Sequence, residues 1–238
     1  AGDKSGGSVS LSSDGKILAI GADEADENDG KKSEEDKIGQ VRVYEYDNNN
    51  NSWTKLGNDI YGENAGDKSG GSVSLSSDGK TIAIGANEND GTGDKSGHVR
   101  VYEYNDNDGV WEQIGGDIDG EAINDKSGSS VSLSSEHKIV AIGAPQHNNN
   151  SGHVRVYEYK NSTWVKLGQD IDGDYEDNKL GTSVSLSSDG KILVAGATDY
   201  PDTSTKKGQV KIYKYNNDNN TWNQIGESII GENNNDVL

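Results

Sequence analysis

The chain has 238 residues, is only 29% hydrophobic and carries a formal net charge of −19. That acidity argues against direct nucleic-acid binding, which wants a basic footprint, and no apolar run approaches the ~20 residues of a membrane span. With no Cys and no Met, nothing points to disulfides, a thiol nucleophile or a soft-metal site.

Low hydrophobicity with high charge ordinarily means disorder. Here the Gly, Ser and Asn excess falls in turns and the apolar residues gather in short β-branched runs, so a folded all-β domain is expected. The missing Met implies that residue 1 is not an untrimmed start: either a leader has been removed, or the chain is a section of a longer polypeptide.

Taken in order, the first unit predicts strand A at 8–12, strand B at 16–22, strand C at 40–46 and strand D at 53–57. In strand A, Val9 and Leu11 alternate with Ser8, Ser10 and Ser12, the period-two pattern of one apolar face. Ser13-Asp14-Gly15-Lys16 reads as a hairpin turn. Strand B is apolar on both faces, as in a buried strand of a layered structure. The same four parts recur three more times, with Trp53, Trp111, Trp164 and Trp222 at intervals of 58, 53 and 58 residues, longer than the ~40 to 50 of WD and kelch repeats. In the third unit Glu136-His137 replaces Asp-Gly, and the turn is expected to survive with mild strain at His137.

Four strands per unit without helical periodicity describe a β-propeller. The chain is therefore expected to be one domain, 1–238, with four blades of four antiparallel strands: blade 1 over 1–61, blade 2 over 62–119, blade 3 over 120–172 and blade 4 over 173–238. The alternative is part of a larger propeller or repeat array. Gly231-Glu232-Asn233 followed by Gly2-Asp3-Lys4-Ser5-Gly6 would reproduce the internal connector 62–70, so a ring closed between blades 1 and 4 is also expected.

The motifs Ser-Gly-x-Ser-Val before strand A, Ala-Ile-Gly-Ala or Ile-Gly-Ala-Pro at the end of strand B, and Gly-x-Val-x-Val-Tyr in strand C resemble the FG-GAP repeat of integrin-α-type propellers. The repeat arrays of marine bacterial and algal surface proteins are closer still. The resemblance implies an extracellular or cell-surface protein. It does not carry the family's calcium loop: the A-to-B segment offers one carboxylate (Asp14, Asp78 or Asp189), and calcium prefers six to eight oxygens. Calcium is left only as a ligand of the acidic loop face.

That face collects the B-to-C loops and D-to-A connectors, with Asp23, Glu24, Asp26, Glu27, Asp29, Glu34, Glu35 and Asp36 in the first B-to-C loop. Its binding candidates are Asp67, Glu121, Asp125 and Asp177, set against the plainer reading of a solvated acidic surface. Asp-Lys-Ser-Gly, at Asp3, Asp67, Asp94 and Asp125, reads as a capped loop rather than a site. Arg42, Arg100, Arg155 and the four Trp residues recur once per blade and read as blade packing. Sequons stand at Asn50, Asn149, Asn161 and Asn219.

His98 and His153 match in strand C while His137 and His147 lie in turns, and none recurs with Cys or paired carboxylates at ligand spacing. The expectation is a non-enzymatic module for adhesion or structural assembly, with no metal centre and no cofactor. Its partners would be proteins or glycans at the cell surface, with self-association through the acidic face or blade rims. The alternative is a lectin-like propeller with one shallow site per blade.

Overall fold

A computed structural model of the chain describes residues 3–26, 37–136, 138–199 and 207–232. Blade 1 contains β1 (Ser8–Leu11), β2 (Ile17–Ala22), β3 (Gln40–Asp47), β4 (Ser52–Lys55) and β5 (Ile60–Tyr61). Blade 2 contains β6 (Ser69–Leu75), β7 (Thr81–Ala86), β8 (His98–Asn105), β9 (Val110–Gln113) and β10 (Ile118–Asp119). Blade 3 follows with β11 (Ser130–Leu133), β12 (Ile139–Ala144), β13 (His153–Lys160), β14 (Thr163–Lys166) and β15 (Ile171–Asp172). Blade 4 has β16 (Leu180–Leu186), β17 (Ile192–Ala197), β18 (Gln209–Asn216), β19 (Thr221–Gln224) and β20 (Ile229–Ile230).

The chain is an all-β propeller of four blades, each an antiparallel four-strand meander. A two-residue fifth strand, too short to leave a pattern in the sequence, pairs with the start of each third strand, as Val41 with Ile60. The A-to-B turns are held by their own side chains: Asp78 Oδ1 accepts from Ser76 Oγ at 2.6 Å and from Lys80 N at 3.0 Å. Asp14 and Asp189 do the same. In blade 3 the position expected to carry strain, His137, lies outside the described residues, and its neighbour Lys138 has a φ of +46°. No helix among the described residues is long and apolar enough to cross a membrane.

Three apolar clusters lie at the junctions between successive blades. They centre on Val43, Ile82 and Trp111 for blades 1 and 2, on Val101, Leu133 and Ile142 for blades 2 and 3, and on Val156, Leu193 and Trp222 for blades 3 and 4. Each junction is also stitched by polar groups. Ser8, Ser72 and Ser130 each donate Oγ–H to a glycine carbonyl of the next blade, Gly70, Gly128 and Gly181, at 2.7 to 2.8 Å. The indoles of Trp111, Trp164 and Trp222 donate to Leu56, Ile114 and Leu167 carbonyls of the preceding blade at 3.0, 2.9 and 2.8 Å.

Among the described residues the expected closure does not form. Val9 is 61% exposed where Val73 in the same place is 9%, and Trp53 is 42% exposed where Trp111 is 4%. Among the described residues no hydrogen bond or ion pair joins blade 1 to blade 4. A splice of sequence ends supplies the right residues, but closure also requires the blades to diverge by the angle that a ring of four demands.

Because the indole of Trp111 is sealed between blades, Trp111→Ala is expected to destabilise the fold by roughly 3 to 5 kcal/mol, whereas in dilute solution, where each chain melts alone, Trp53→Ala is expected to change stability by under about 1 kcal/mol. Paired urea melts check this, and equal losses at both positions would contradict the junction assignment.

Candidate functional site

The start of each third strand faces the D-to-A connector and the B-to-C loop, the acidic side of the sequence reading. The structure gives Asp67 and Asp125 internal work. Asp67 is buried, and its Oδ2 accepts from Asn64 N at 2.9 Å and from Asn89 Nδ2 at 3.0 Å. Asp125 is buried likewise, accepting from Ala122 N at 2.8 Å. Both hold their connectors in shape.

Asp177 does not belong to this set. The buried place in the third connector goes to Asn178, while Asp177 is exposed with positive φ and accepts from Asn150 Nδ2 at 2.9 Å. Glu27, Asp29, Glu34, Glu35 and Asp36 lie outside the described residues. Asn50, Asn149, Asn161 and Asn219 are all exposed; Asn149 Nδ2 donates to Glu176 Oε1 at 3.1 Å.

Asp125 and Glu121 instead surround two imidazoles. His153, the first residue of β13, is 0% exposed, and neither ring nitrogen has a hydrogen-bond partner. His147, in the helical turn His147–Asn150, stacks on it with ring centroids 3.9 Å apart and planes 14° off parallel. Its Nδ1 is 3.0 Å from Asp125 Oδ1. One donor atom each from Glu121, His147 and His153 lie within 4.8 Å of one another.

A second group, Glu63, His98 and Asp117, repeats part of this in blade 2, with His98 Nε2 buried and unpartnered. In blades 1 and 4 the same strand position is Gln40 and Gln209, and Gln40 Nε2 donates to Asp59 Oδ2 at 2.9 Å. Amide at the outer blades and imidazole at the inner two is a break in the repeat.

An unpartnered buried imidazole costs stability. Burial first, then the neighbouring His147 and Arg155, push His153 down from its ordinary 6.5 to about 3. Burial and then Arg100 push His98 down as well. Both rings are therefore neutral at physiological pH, the state in which imidazole ligates a metal. Arg155 is committed elsewhere: it donates to Asp119 O at 2.7 Å and to Tyr157 Oη at 2.9 Å, and sits 3.4 Å from Glu121 Oε1.

Sequence reasoning saw each histidine and missed the group, because its members come from a connector, a loop and a strand separated by 26 and 6 residues. The usable signal was the substitution of Gln by His at one strand position in two blades only.

A histidine held neutral in the folded state takes up fewer protons than the unfolded chain between its folded and ordinary pKa values, so stability rises with pH across that window. With chelator present, stability is expected to fall as pH drops from about 6.5 toward 4.5, where most carboxylates remain ionised. His153→Gln should flatten that slope, which urea melts at stepped pH would read. An unchanged slope would contradict the buried neutral ring.

No protein-family model matches the chain, and no curated protein matches it. Solved structures do. A candidate 6-phosphogluconolactonase from Bacteroides uniformis superposes with a TM-score of 0.63 at 17% identity, over 96% of this chain and 55% of that one. Another from Bacteroides fragilis gives 0.60 at 16% identity, over 95% and 55%. Sqt1 from Chaetomium thermophilum gives 0.55 at 16% identity, over 97% and 49%. The chain thus spans about half the length of the structures it matches. At such identities the likeness establishes the propeller fold alone. It also corrects the sequence reading: the similar propellers are lactonase-type and Sqt1 proteins rather than FG-GAP integrin-like repeats. The cell-surface adhesion or assembly module and its lectin-like alternative rested on that resemblance and are not retained. The assignment as a non-enzyme falls too, since the similar folds include candidate enzymes.

Proposed function

We propose that blade 3 binds a divalent metal of the zinc class through His147, His153 and Glu121, and that the centre serves hydrolysis of an ester or lactone. The observation that carries this is the pair of stacked imidazoles, one wholly buried with both nitrogens unpartnered, within donor reach of an accessible carboxylate. Two His and one Glu are a donor set of catalytic zinc sites, which keep a fourth position open. A metal there would lower the pKa of a bound water and polarise an ester carbonyl.

The chain's own residues divide the work. His153 is locked by the core around it, with no rotamer freedom to lose on binding. Asp125 Oδ1, 3.0 Å from His147 Nδ1, stands where an outer carboxylate stands beside a ligating ring. Glu121, on the connector and about two-fifths exposed, is the donor that moves in. Candidate lactonases among the like-folded structures favour a cyclic ester as substrate class. A phosphorylated substrate fits poorly, because Arg155 is already engaged and the surrounding Asp125, Asp170 and Asp172 repel an anion.

Titration with Zn²⁺ or Co²⁺ tests the centre. One tight equivalent is expected, weakened at least about tenfold by His153→Gln or His147→Asn. These are mild changes, because Gln40, Gln209 and Asn89 occupy the equivalent places in other blades. Turnover of an uncharged lactone should be lost with chelator and restored by metal. Absence of tight binding by the unaltered chain would dismiss the reading.

A further inference from the structure

The residues left exposed at the two ends of the arc are the two halves of one repeated interface. On the leading side of blade 1 stand Val9, Leu11 and Trp53, exposed at 61%, 55% and 42%. On the trailing side of blade 4 stand Ile225, Ile229 and Ile230, exposed at 40%, 55% and 45%, although Ile60, Ile118 and Ile171, which match Ile229, are buried. Soluble proteins seldom leave such apolar surface uncovered without an interaction to make.

The glycines show what is missing. A Cβ on Gly21, Gly85 or Gly143 would land on the carbonyl oxygen of Gly70, Gly128 or Gly181 in the next blade, far inside van der Waals contact. On Gly196, in the same place in blade 4, it would meet only the side chain and carbonyl of Ser183 in its own blade. Gly57, Gly115 and Gly168 each press on the indole of the following blade, whereas among the described residues nothing lies within 4 Å of where a Cβ would stand on Gly226. Ser183 and Ser185 have no inter-blade hydrogen bond among the described residues, although Ser8, Ser10 and their repeats do. The trailing face is concave, a cleft of about 410 Å³ lined by Lys214, Tyr215, Asn223 and Ile225. Between blades 1 and 2 the corresponding groove, with Glu45 and Leu56 on one wall and Lys80 and Tyr104 of the next blade on the other, is about 250 Å³.

We propose that these two faces mate between two copies of this chain, blade 4 of each against blade 1 of the other, closing a ring of eight blades about a twofold axis. The contacts this requires have precedents within one copy: Trp53 indole to the Ile225 carbonyl against Gly226 and Ser183 hydroxyl to the Gly6 carbonyl against Gly196 are each made three times by their equivalents, and Gly15 onto Ile192 twice, by Gly79 on Ile17 and Gly190 on Ile139. A second copy is the occupant these faces fit, because it supplies both complementary surfaces at once and leaves no edge. Eight blades lie at the upper end of the roughly four to eight found in propellers, and since one arc covers 55% of a solved propeller chain, two arcs are about a tenth larger than that chain.

Sedimentation of the 238-residue chain tests the proposal. A dimer is expected that strengthens with added salt, since copies of net charge −19 repel one another and salt screens that repulsion. Trp53→Ala should weaken association by about 30-fold or more. Gly196→Ala should also abolish it while leaving unchanged the melting temperature measured at concentrations where the unaltered chain is monomeric, because only the hydroxyl of Ser183 need rotate in the isolated chain. Gly143→Ala, which strikes a backbone carbonyl within one copy, should lower stability in the same experiment. A monomer at the highest soluble concentration would overturn the proposal, leaving the faces to further blades of another source. So would a dimer indifferent to both Trp53→Ala and Gly196→Ala.

Discussion

The structure depends on how closely two blades can approach at one glycine in each second strand. Gly21, Gly85 and Gly143 let a carbonyl of the following blade come to the place a β-carbon would occupy, and the serine opposite donates its hydroxyl to that same carbonyl. A carbonyl brought that deep must be satisfied, so glycine and serine are required together. Once the inner strands lie at this distance, the apolar faces of the second and third strands have no choice but to pack, and the indole at the outer end finds the carbonyl of the blade before it.

This arrangement explains how so hydrophilic a chain builds a core. Each inner blade is thin and buries both faces of its second strand against neighbours, so a modest apolar fraction is used twice. The alternating serines that look wasteful on an inner strand serve as inter-blade donors and acceptors: Leu75, Leu133 and Leu186 donate backbone N–H to Ser10, Ser74 and Ser132 of the preceding blade. Stability is nearest-neighbour in character, as in other repeat architectures, which is why an end blade is chemically incomplete on one side.

The candidate centre draws on the same repetition by departing from it. Gln40 shows how the strand position is satisfied when no ligand is involved: an amide reaches Asp59 across the blade. Imidazole in its place at His153 and His98 leaves nitrogens buried without protein partners. A repeat protein tolerates such a fault in two blades because the others carry the fold, and a fault that sequesters neutral nitrogens beside carboxylates is the raw material of a metal site.

Strand order, blade count and the packing role of Trp111, Trp164 and Trp222 were legible in the sequence, because period-two alternation is local and every blade restates it, with a Ser-Asp-Gly-Lys turn in three of the four; the same expectation failed at Trp53, which is exposed. Other features were decided only by the tertiary structure. Val9 and Val73 sit in nearly identical sequence, yet one is exposed and the other buried, because burial depends on which blade stands alongside and not on the strand itself. Glu121, His147 and His153 carry no spacing that marks them as a set. The open faces of blades 1 and 4 depend on which blade stands alongside, which no single repeat contains.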